Sequence, residues 1–431
     1  MSIARRFAAQ QLVHWAAAGV MVPVLTLVLR ELGLTLFEIG VAMATYSLTT
    51  VLLEVPSGAL ADLWGRKRSY LLSVGFDLLS ALFFLSFSQL GMVLLAAALK
   101  GAGRAFSSGS LEALAVETIR REEPDFDLQA FFSRVGMAVP AGLAATSLLG
   151  GFLPEFAALP ALGWIAGRSP AGAFSMNLLV HALLLGLAGL LAWSFFEEGA
   201  EAVQPEAGET GDAGGPAAVL RQIAVSFGFA LRSRELLLLL SAMFSIGLVL
   251  HSVETLWQPR LNAIVVAENV RIFGVLGSAY FAVAVLGNGL SPALVRVLRG
   301  NRAGAILLYR ILSGAALVAL AGQVTAGGFA AAYLGFFFLF AVTTPIQSAM
   351  LNERVPDSRR ATLISAGSLV LQGGGFLGSL AFGAVSQSFG IGTSWVIAGG
   401  IFVLSSLLYL PLARARDLAG AGSPARRCIR M

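Results

Sequence analysis

The stretch GALADLWGRKR, from Gly58 to Arg68, is the part of this sequence that decides the fold. It lies at the junction of two long apolar runs, which cover residues 38–60 and 69–87. Each run supplies the roughly 20 apolar residues that a helix needs to cross a bilayer core about 30 Å thick. The charged segment between them has room only for a tight turn. It therefore joins two antiparallel membrane-spanning helices.

The rest of the chain repeats this pattern. Hydrophobic residues make up 57% of the sequence and charged residues only 12%, and the mean hydropathy is +0.81. Soluble domains carry about a quarter charged residues, so much of this surface must face lipid. Apolar runs between charge clusters predict twelve membrane-spanning helices, at roughly 11–29, 38–60, 69–87, 92–115, 133–152, 171–195, 236–258, 272–294, 303–321, 328–347, 362–385 and 394–412.

The basic residues indicate the orientation of these spans. Most of the 29 Lys and Arg residues fall in alternate loops and in the two terminal segments. The opposite loops carry only Arg30, Arg168, Arg260 and Arg271. The positive-inside rule therefore predicts a multi-pass protein of the inner (plasma) membrane with both termini in the cytoplasm. The net charge of +5 follows from this topology and does not indicate a nucleic-acid partner.

A composition change divides the chain into two halves. Residues 197–216 are acidic and rich in Gly and Ala, which is typical of a linker, and residues 217–235 suit a short amphipathic helix. We expect a six-helix half over 1–196, a cytoplasmic linker over 197–235, a second six-helix half over 236–413 and a cytoplasmic tail over 414–431. The segments ALAVETIRREEPD (113–125) and AMLNERVPDSRRA (349–361) resemble each other after the fourth span of each half. Two like halves are typical of a transporter.

The turn at 58–68 also carries a family resemblance. It is similar to the signature loop of the major facilitator superfamily, matching at Gly58, Leu60, Ala61, Asp62, Gly65, Arg66 and Lys67 and departing at Leu63, where a basic residue is usual. The flanking EVPSG (54–58) resembles the drug/proton antiporter branch of that family. The resemblance implies an all-α membrane protein with twelve transmembrane helices in two six-helix pseudo-repeats. It also implies proton-coupled efflux of small amphipathic compounds by alternating access.

Within this loop we expect a gating motif formed by Gly58, Asp62, Gly65, Arg66 and Lys67. Gly58 would let two helices approach closely and Gly65 would permit the sharp turn. Asp62 lies one helical turn from Arg66, so the two could form an ion pair that holds one conformation. The alternative is that these charges serve only to set the topology.

Ionisable residues inside the spans are the candidates for a proton or substrate cavity, because each costs several kcal/mol unless it faces protein or water. Lys100, Arg104 and Glu112 fall near one face of the fourth span, with Arg104 near the bilayer midplane. The alternative for them is a structural ion pair within the first half. Glu54 in the second span could carry a proton or neutralise Arg104, whereas Asp77 in the third span is expected to be structural.

The seventh span presents His251, Glu254 and Trp257 at spacings of three. These residues could bind and protonate a substrate or line the outer gate. The alternative is that they are polar residues in headgroup water. His14 and His181 are expected to be structural.

Two other functions stay open from the sequence. The same fold could take up or flip an anionic or lipid-like substrate, which Lys100 and Arg104 would suit, or it could act as a non-transporting receptor. No P-loop, nucleophile motif or metal-ligand spacing is present, so the sequence predicts neither an enzyme nor a cofactor or metal. The expected partners are a small-molecule substrate, protons and the lipid bilayer, and we expect a monomer.

Overall fold

A computed structural model describes residues 2–122, 127–197, 233–265, 270–298, 300–354 and 360–412. The expected linker helix at 217–235 and the tail at 414–431 lie almost entirely outside these residues. The described α-helices are α1 (Ile3–Met21), α2 (Leu25–Glu31), α3 (Leu36–Trp64), α4 (Arg66–Ser86), α5 (Leu90–Ser107), α6 (Ser110–Glu122), α7 (Leu128–Phe152), α8 (Pro160–Ala166), α9 (Ser175–Phe195), α10 (Arg234–Val265), α11 (Arg271–Val297), α12 (Arg302–Ala321), α13 (Ala326–Arg354), α14 (Arg360–Phe389) and α15 (Ile391–Ser406).

The helices confirm the predicted all-α membrane architecture. Within the described residues, 11 helical segments are long and apolar enough to cross a membrane, and the bent pair of α1 and α2 brings the number to 12. These two helices meet at 46°. The break contains Pro23, which cannot donate a backbone hydrogen bond to a continuous helix. Helices α5 and α6 together form the fourth span.

Local sequence sets the ends of the signature-loop helices. The N-terminus of α3 is closed by a capping box, in which Thr35 and Glu38 satisfy each other's backbone N–H groups. Its C-terminus is Gly65, whose φ of +106° is one that residues with a Cβ rarely adopt. The chain therefore turns sharply at Gly65 into α4, as the sequence predicted.

The helices group into two halves, with α1–α9 in the first and α10–α15 in the second. Buried apolar clusters hold the helices of each half together, and the main cluster of the second half also includes Leu27 of α2. Between the halves, α3 packs on α14, α7 packs on α11, and α10 contacts α2 and α3. We call the end of the bundle that carries the α3–α4 turn the basic end. The opposite end, which carries residues 32–35 between α2 and α3, is the far end.

Glycine contacts and polar side chains join the two halves at the far end, and we call this set of contacts the far-end interface. Glycines allow the closest approach: a Cβ added to Gly151 of α7 would lie 2.7 Å from the Cα of Gly274 on α11. Gly40 of α3 and Gly383 of α14 make a similar contact, with a Cβ on either lying 3.1 Å from the Cα of the other. Such spacing is possible only without side chains, so these helices are in backbone contact.

Polar side chains complete the far-end interface. Arg271 of α11 makes a two-bond ion pair with Glu155 of the first half, and its Nη2 lies 2.6 Å from Oε2. Gln258 of α10 donates to the Val22 carbonyl at 2.7 Å and also contacts the Thr26 hydroxyl. Each hydrogen bond and ion pair identified between described residues of the two halves lies at this end of the bundle.

The basic end differs. A Cβ added to Gly58 of α3 would meet no described atom within 4 Å. Leu63 and Trp64, in the last turn of α3, are both more than half exposed. Among the described residues, the polar and glycine contacts between the halves are therefore found at the far end, whereas open space lies beside Gly58 near the basic end.

Candidate functional site

A cavity of about 290 Å³ lies where the two halves meet. Helices α1 to α5 and α9 line it from the first half, and α10 lines it from the second. Most of the lining is apolar and includes Met21, Val22, Leu25, Met43, Phe84 and Leu178. The polar side chains that reach it include Thr26, Tyr46, Lys100, His181, His251 and Glu254. An apolar cavity with a few convergent polar groups is the usual form of a small-molecule site.

Lys100 is the basic residue of this lining and has a partner. Its Nζ lies 3.1 Å from the carboxylate of Asp77, which is buried on α4. The close packing of α4 and α5 allows this contact, because a Cβ on Gly103 would clash with the Asp77 carboxylate. The Lys100 charge is therefore balanced within the first half by Asp77.

His181 extends this polar group toward α9. Its Nδ1 lies 2.7 Å from the carbonyl of Ala17, so Nδ1 carries the proton that is donated there. Its Nε2 then faces the Lys100 Nζ at 3.5 Å. Sequence reasoning treated His181 as structural and missed its place in the cavity lining. The available signal was a histidine inside an otherwise apolar span.

Arg104 lies one turn beyond Lys100 on α5. It is exposed, and its guanidinium lies beside Tyr46 of α3 and 6.0 Å from the ring centroid of Trp15 on α1. No carboxylate of the described residues lies within 4 Å of it. Glu54, half-buried on α3, is within electrostatic range of Arg104. The structure thus brings Arg104 and Glu54 to the same region, although neither lines the cavity.

Glu112 stands apart from the other two candidates of the fourth span. Helix α5 ends at Ser107, Gly109 adopts a φ of +69°, and a new helix, α6, starts at Ser110. The interruption means that a spacing of eight residues does not place Glu112 on one continuous face with Arg104. Glu112 is exposed on α6 and does not line the cavity.

The three candidates of the seventh span separate along α10. His251, which lies beside Gln372 of α14, and Glu254 both line the cavity. Trp257 is only 2% exposed and packs against Phe273 and Tyr333 in the core of the second half. Because a helix turns about 100° per residue, six residues rotate the side-chain direction by about 120°. Trp257 is therefore a core residue and does not line the cavity.

The signature loop forms a charged cluster within the first half. Arg66 lies 3.4 Å from Asp62 and 2.7 Å from Glu117 of α6. Lys67 donates to the Trp193 carbonyl of α9 at 2.8 Å and lies 4.5 Å from the centroid of its ring. The motif thus joins α3, α4, α6 and α9 at the basic end. Gly58, which was expected at a close helix contact, faces open space in this conformation.

Comparison with known proteins decides the family. The sequence profile of the Major Facilitator Superfamily matches residues 7–378. The chain belongs to this superfamily. It is accordingly a multi-pass membrane transporter and not an enzyme, as the sequence predicted.

Named relatives support this assignment. The chain is 24% identical over 417 residues to YxaM of Bacillus subtilis (strain 168), an uncharacterized transporter of the major facilitator type, with 93% of this chain and 94% of that protein covered. Its fold is similar to that of the nucleoside transporter NupG, with a TM-score of 0.76, 13% identity and 96% and 99% of the two chains covered.

A second solved structure has the same fold. It is a bacterial homologue of the human lysosomal transporter Spinster, in an inward-facing and unoccupied conformation. The TM-score is 0.72, with 16% identity and 96% of each chain covered. These likenesses concern the fold. The resemblance to the drug/proton antiporter branch stays a prediction.

Proposed function

We propose that this transporter exports small amphipathic compounds across the inner membrane in exchange for protons. The observation that carries the proposal is the cavity between the halves. Its lining is mostly apolar, and it contains a carboxyl group, Glu254, that has no hydrogen-bond or ion-pair partner among the described residues. An apolar body and a positively charged or protonated group suit such a site.

The two ends of the bundle support an alternating-access cycle. If the positive-inside rule places the basic end in the cytoplasm, this conformation is open to the cytoplasm and closed outside. Substrate would enter from the cytoplasm or from the inner leaflet. Export then requires the far-end interface to separate while the halves approach at the basic end.

The signature loop lies where it could act when the two halves approach each other at the basic end. The open space at Gly58 would let a helix of the second half approach α3 when the basic end closes. The Asp62–Arg66–Glu117 cluster lies beside this space and carries an exposed carboxylate, since the Asp62 side chain is 69% exposed. We propose that this cluster holds the outward-facing state, which makes the motif a latch for one conformation.

Glu254 is proposed as the point where substrate and proton compete. A bare carboxylate in a cavity that has lost its water is costly, so Glu254 must be protonated or paired before the cavity closes. A cationic group of the substrate would displace the proton in one half of the cycle, and a proton would displace the substrate in the other. Export and proton entry would be coupled by this exchange.

Everted membrane vesicles with an acidic interior test the proposal. A pH-sensitive dye reports proton release as a panel of lipophilic cations, neutral drugs and organic anions is added. We expect compound-specific release from the wild type and its loss in Glu254→Gln and Arg104→Ala. The matched control is Glu31→Gln, an exposed carboxylate at the far end. Equal release from Glu254→Gln and from the control would contradict the assigned role.

Uptake of an anionic or lipid-like compound is the second candidate. It is favoured by Lys100 and Arg104 on one cavity-side helix, and it would agree with the fold likeness to a nucleoside transporter. This candidate would be supported over export if no compound of the panel caused proton release from everted vesicles and if right-side-out vesicles accumulated a labelled anion or nucleoside.

A further inference from the structure

Two residues of opposite charge lie in or beside the cavity without a direct ion pair, one in each half of the protein. Arg104 comes from α5 of the first half and Glu254 from α10 of the second. Neither has an opposite charge within 4 Å in the described parts of the chain. Lys100 differs, because Asp77 already balances it at 3.1 Å. Arg104, with Glu54 within electrostatic range but not in contact, and Glu254 are therefore available to pair with charged groups of a ligand.

Tyr46 lies close to both charged residues. Its side chain lines the cavity and lies within electrostatic range of both Arg104 and Glu254, with the guanidinium beside its hydroxyl. Glu254 lines the cavity itself, and Arg104 lies next to it beside Tyr46; the cavity is mostly apolar, with Met21, Leu25, Phe84 and Leu178 among its lining residues. An apolar body of a ligand can therefore lie in the cavity with a charged group directed at either residue.

The two charges respond differently when the cavity closes and loses water. Glu254 can become neutral by taking up a proton, whereas an arginine stays charged in proteins. A substrate with only a cationic group would satisfy Glu254 and leave Arg104 unbalanced. A substrate with only an anionic group would do the opposite. Each unbalanced charge in a span costs several kcal/mol, so both substrates would close the cavity at a penalty.

We infer that the substrates are zwitterionic amphipathic compounds, with an anionic group bound by Arg104, a cationic group bound by Glu254 and an apolar body between them. The inference rests on the proposed transport function and names its substrate class. It places the recognition of the two ends of one molecule on different halves of the protein. Substrate binding would thereby draw the halves together and favour the occluded state.

Three matched aromatic compounds test the inference: para-(aminoethyl)benzoate as the zwitterion, para-ethylbenzoate as the anion and para-methylphenethylamine as the cation. Binding to the purified full chain in lipid nanodiscs is measured by calorimetry at neutral pH. Hydrogen bonds to charged groups are strong enough for about a 10- to 100-fold effect, so we expect the zwitterion to bind at least about tenfold more tightly than either relative.

Charge-removing variants should divide this preference. In Arg104→Gln the zwitterion should bind no better than the amine, and in Glu254→Gln no better than the carboxylate. Arg104→Lys should keep part of the preference, because it keeps the charge. The matched controls are Arg168→Gln and Glu31→Gln, which remove exposed charges at the far end and should leave the preference intact. Unchanged incorporation into nanodiscs shows that each variant is folded.

Several results would overturn the inference. Equal binding of the amine and the zwitterion would mean that Arg104 has a counter-ion within the protein, for which Glu54 is placed. Equal binding of the carboxylate and the zwitterion would remove Glu254 from recognition. Lack of zwitterion binding at millimolar concentration, or a preference that survives in both variants, would also refute it.

The failure of the inference can be told from the failure of the proposed function. If no compound caused proton release from vesicles but calorimetry still showed the zwitterion preference, the proposed proton coupling would be refuted and the inferred substrate class would stand. If amines caused proton release but calorimetry showed no preference for the zwitterion, the proton coupling would stand and the inferred substrate class would be refuted.

Discussion

A single methyl group at the far-end interface should shift this transporter toward its other conformation. In Gly151→Ala, the added Cβ would lie 2.7 Å from both the Cα and the N of Gly274, which are backbone atoms that cannot rotate away. Helices α7 and α11 must then separate, and the closed far end loses stability. Overpacking of this kind costs about 1–3 kcal/mol. A cost of that size changes the ratio of the two conformations about 5- to 150-fold.

The matched control lies on the same helix. Gly136→Ala also adds a methyl group to α7, but its Cβ would meet no described atom within 4 Å. Both substitutions raise helix propensity by a similar amount, so this contribution cancels in the comparison. Any difference between the two variants therefore reports the contact with Gly274.

Distances between spin labels measure the shift. One pair, at Leu159 and Val324, reports the far end, and a second pair, at Leu63 and Val297, reports the basic end; all four side chains are at least 47% exposed. The native Cys428 is replaced by serine so that only the introduced cysteines are labelled. We expect Gly151→Ala to gain a population with a longer far-end distance and a shorter basic-end distance. Identical distributions for Gly151→Ala and Gly136→Ala would refute the reasoning.

Three further predictions concern the ion pairs described above. Glu155→Gln should open the far end more weakly than Gly151→Ala, by at most about 1 kcal/mol, because its ion pair with Arg271 is about half exposed, and the effect measured with the far-end labels should fall at high salt. Asp77→Asn should lower the melting temperature, with a loss of about 2 kcal/mol in the free energy of unfolding, because it leaves the partly buried Lys100 unpaired. Adding Lys100→Met should restore most of this loss, and a double variant no more stable than Asp77→Asn would contradict the reasoning. Asp62→Asn should slow turnover in the vesicle assay while leaving membrane insertion intact, and normal transport by this variant would remove the proposed latch.

The candidate site was only partly predictable from the sequence. Lys100, His251 and Glu254 reach the cavity because an ionisable residue in a span must face protein or water. The same rule did not exclude Trp257, which spacing alone placed with its neighbours and which packs in the core. Nor could spacing show that α5 stops before Glu112.

Residues contributed by other spans were harder to find. Tyr46 lies among other polar residues (Thr45, Ser47, Thr49 and Thr50), so the sequence does not show which of them faces the cavity. His181 is recognisable as an ionisable residue inside a span, but the sequence does not show what it meets. The link from His181 through Lys100 to Asp77 joins the consecutive helices α4 and α5 to α9, in which His181 lies 81 residues after Lys100. Only the packing of α4, α5 and α9 brings these groups together.

The sequence by itself determined the class of protein, the number of spans and the turn at Gly65. Hydrophobicity sets the depth of each helix in the bilayer, and a positive φ favours glycine at the turn, so both are local properties of the chain. The rotation of each helix and the partner that it meets depend on packing between helices, because lipid offers no hydrophobic force to choose among apolar faces. The closed far end, with Gly151 against Gly274, and the position of Glu254 in the cavity are therefore decided by the tertiary structure.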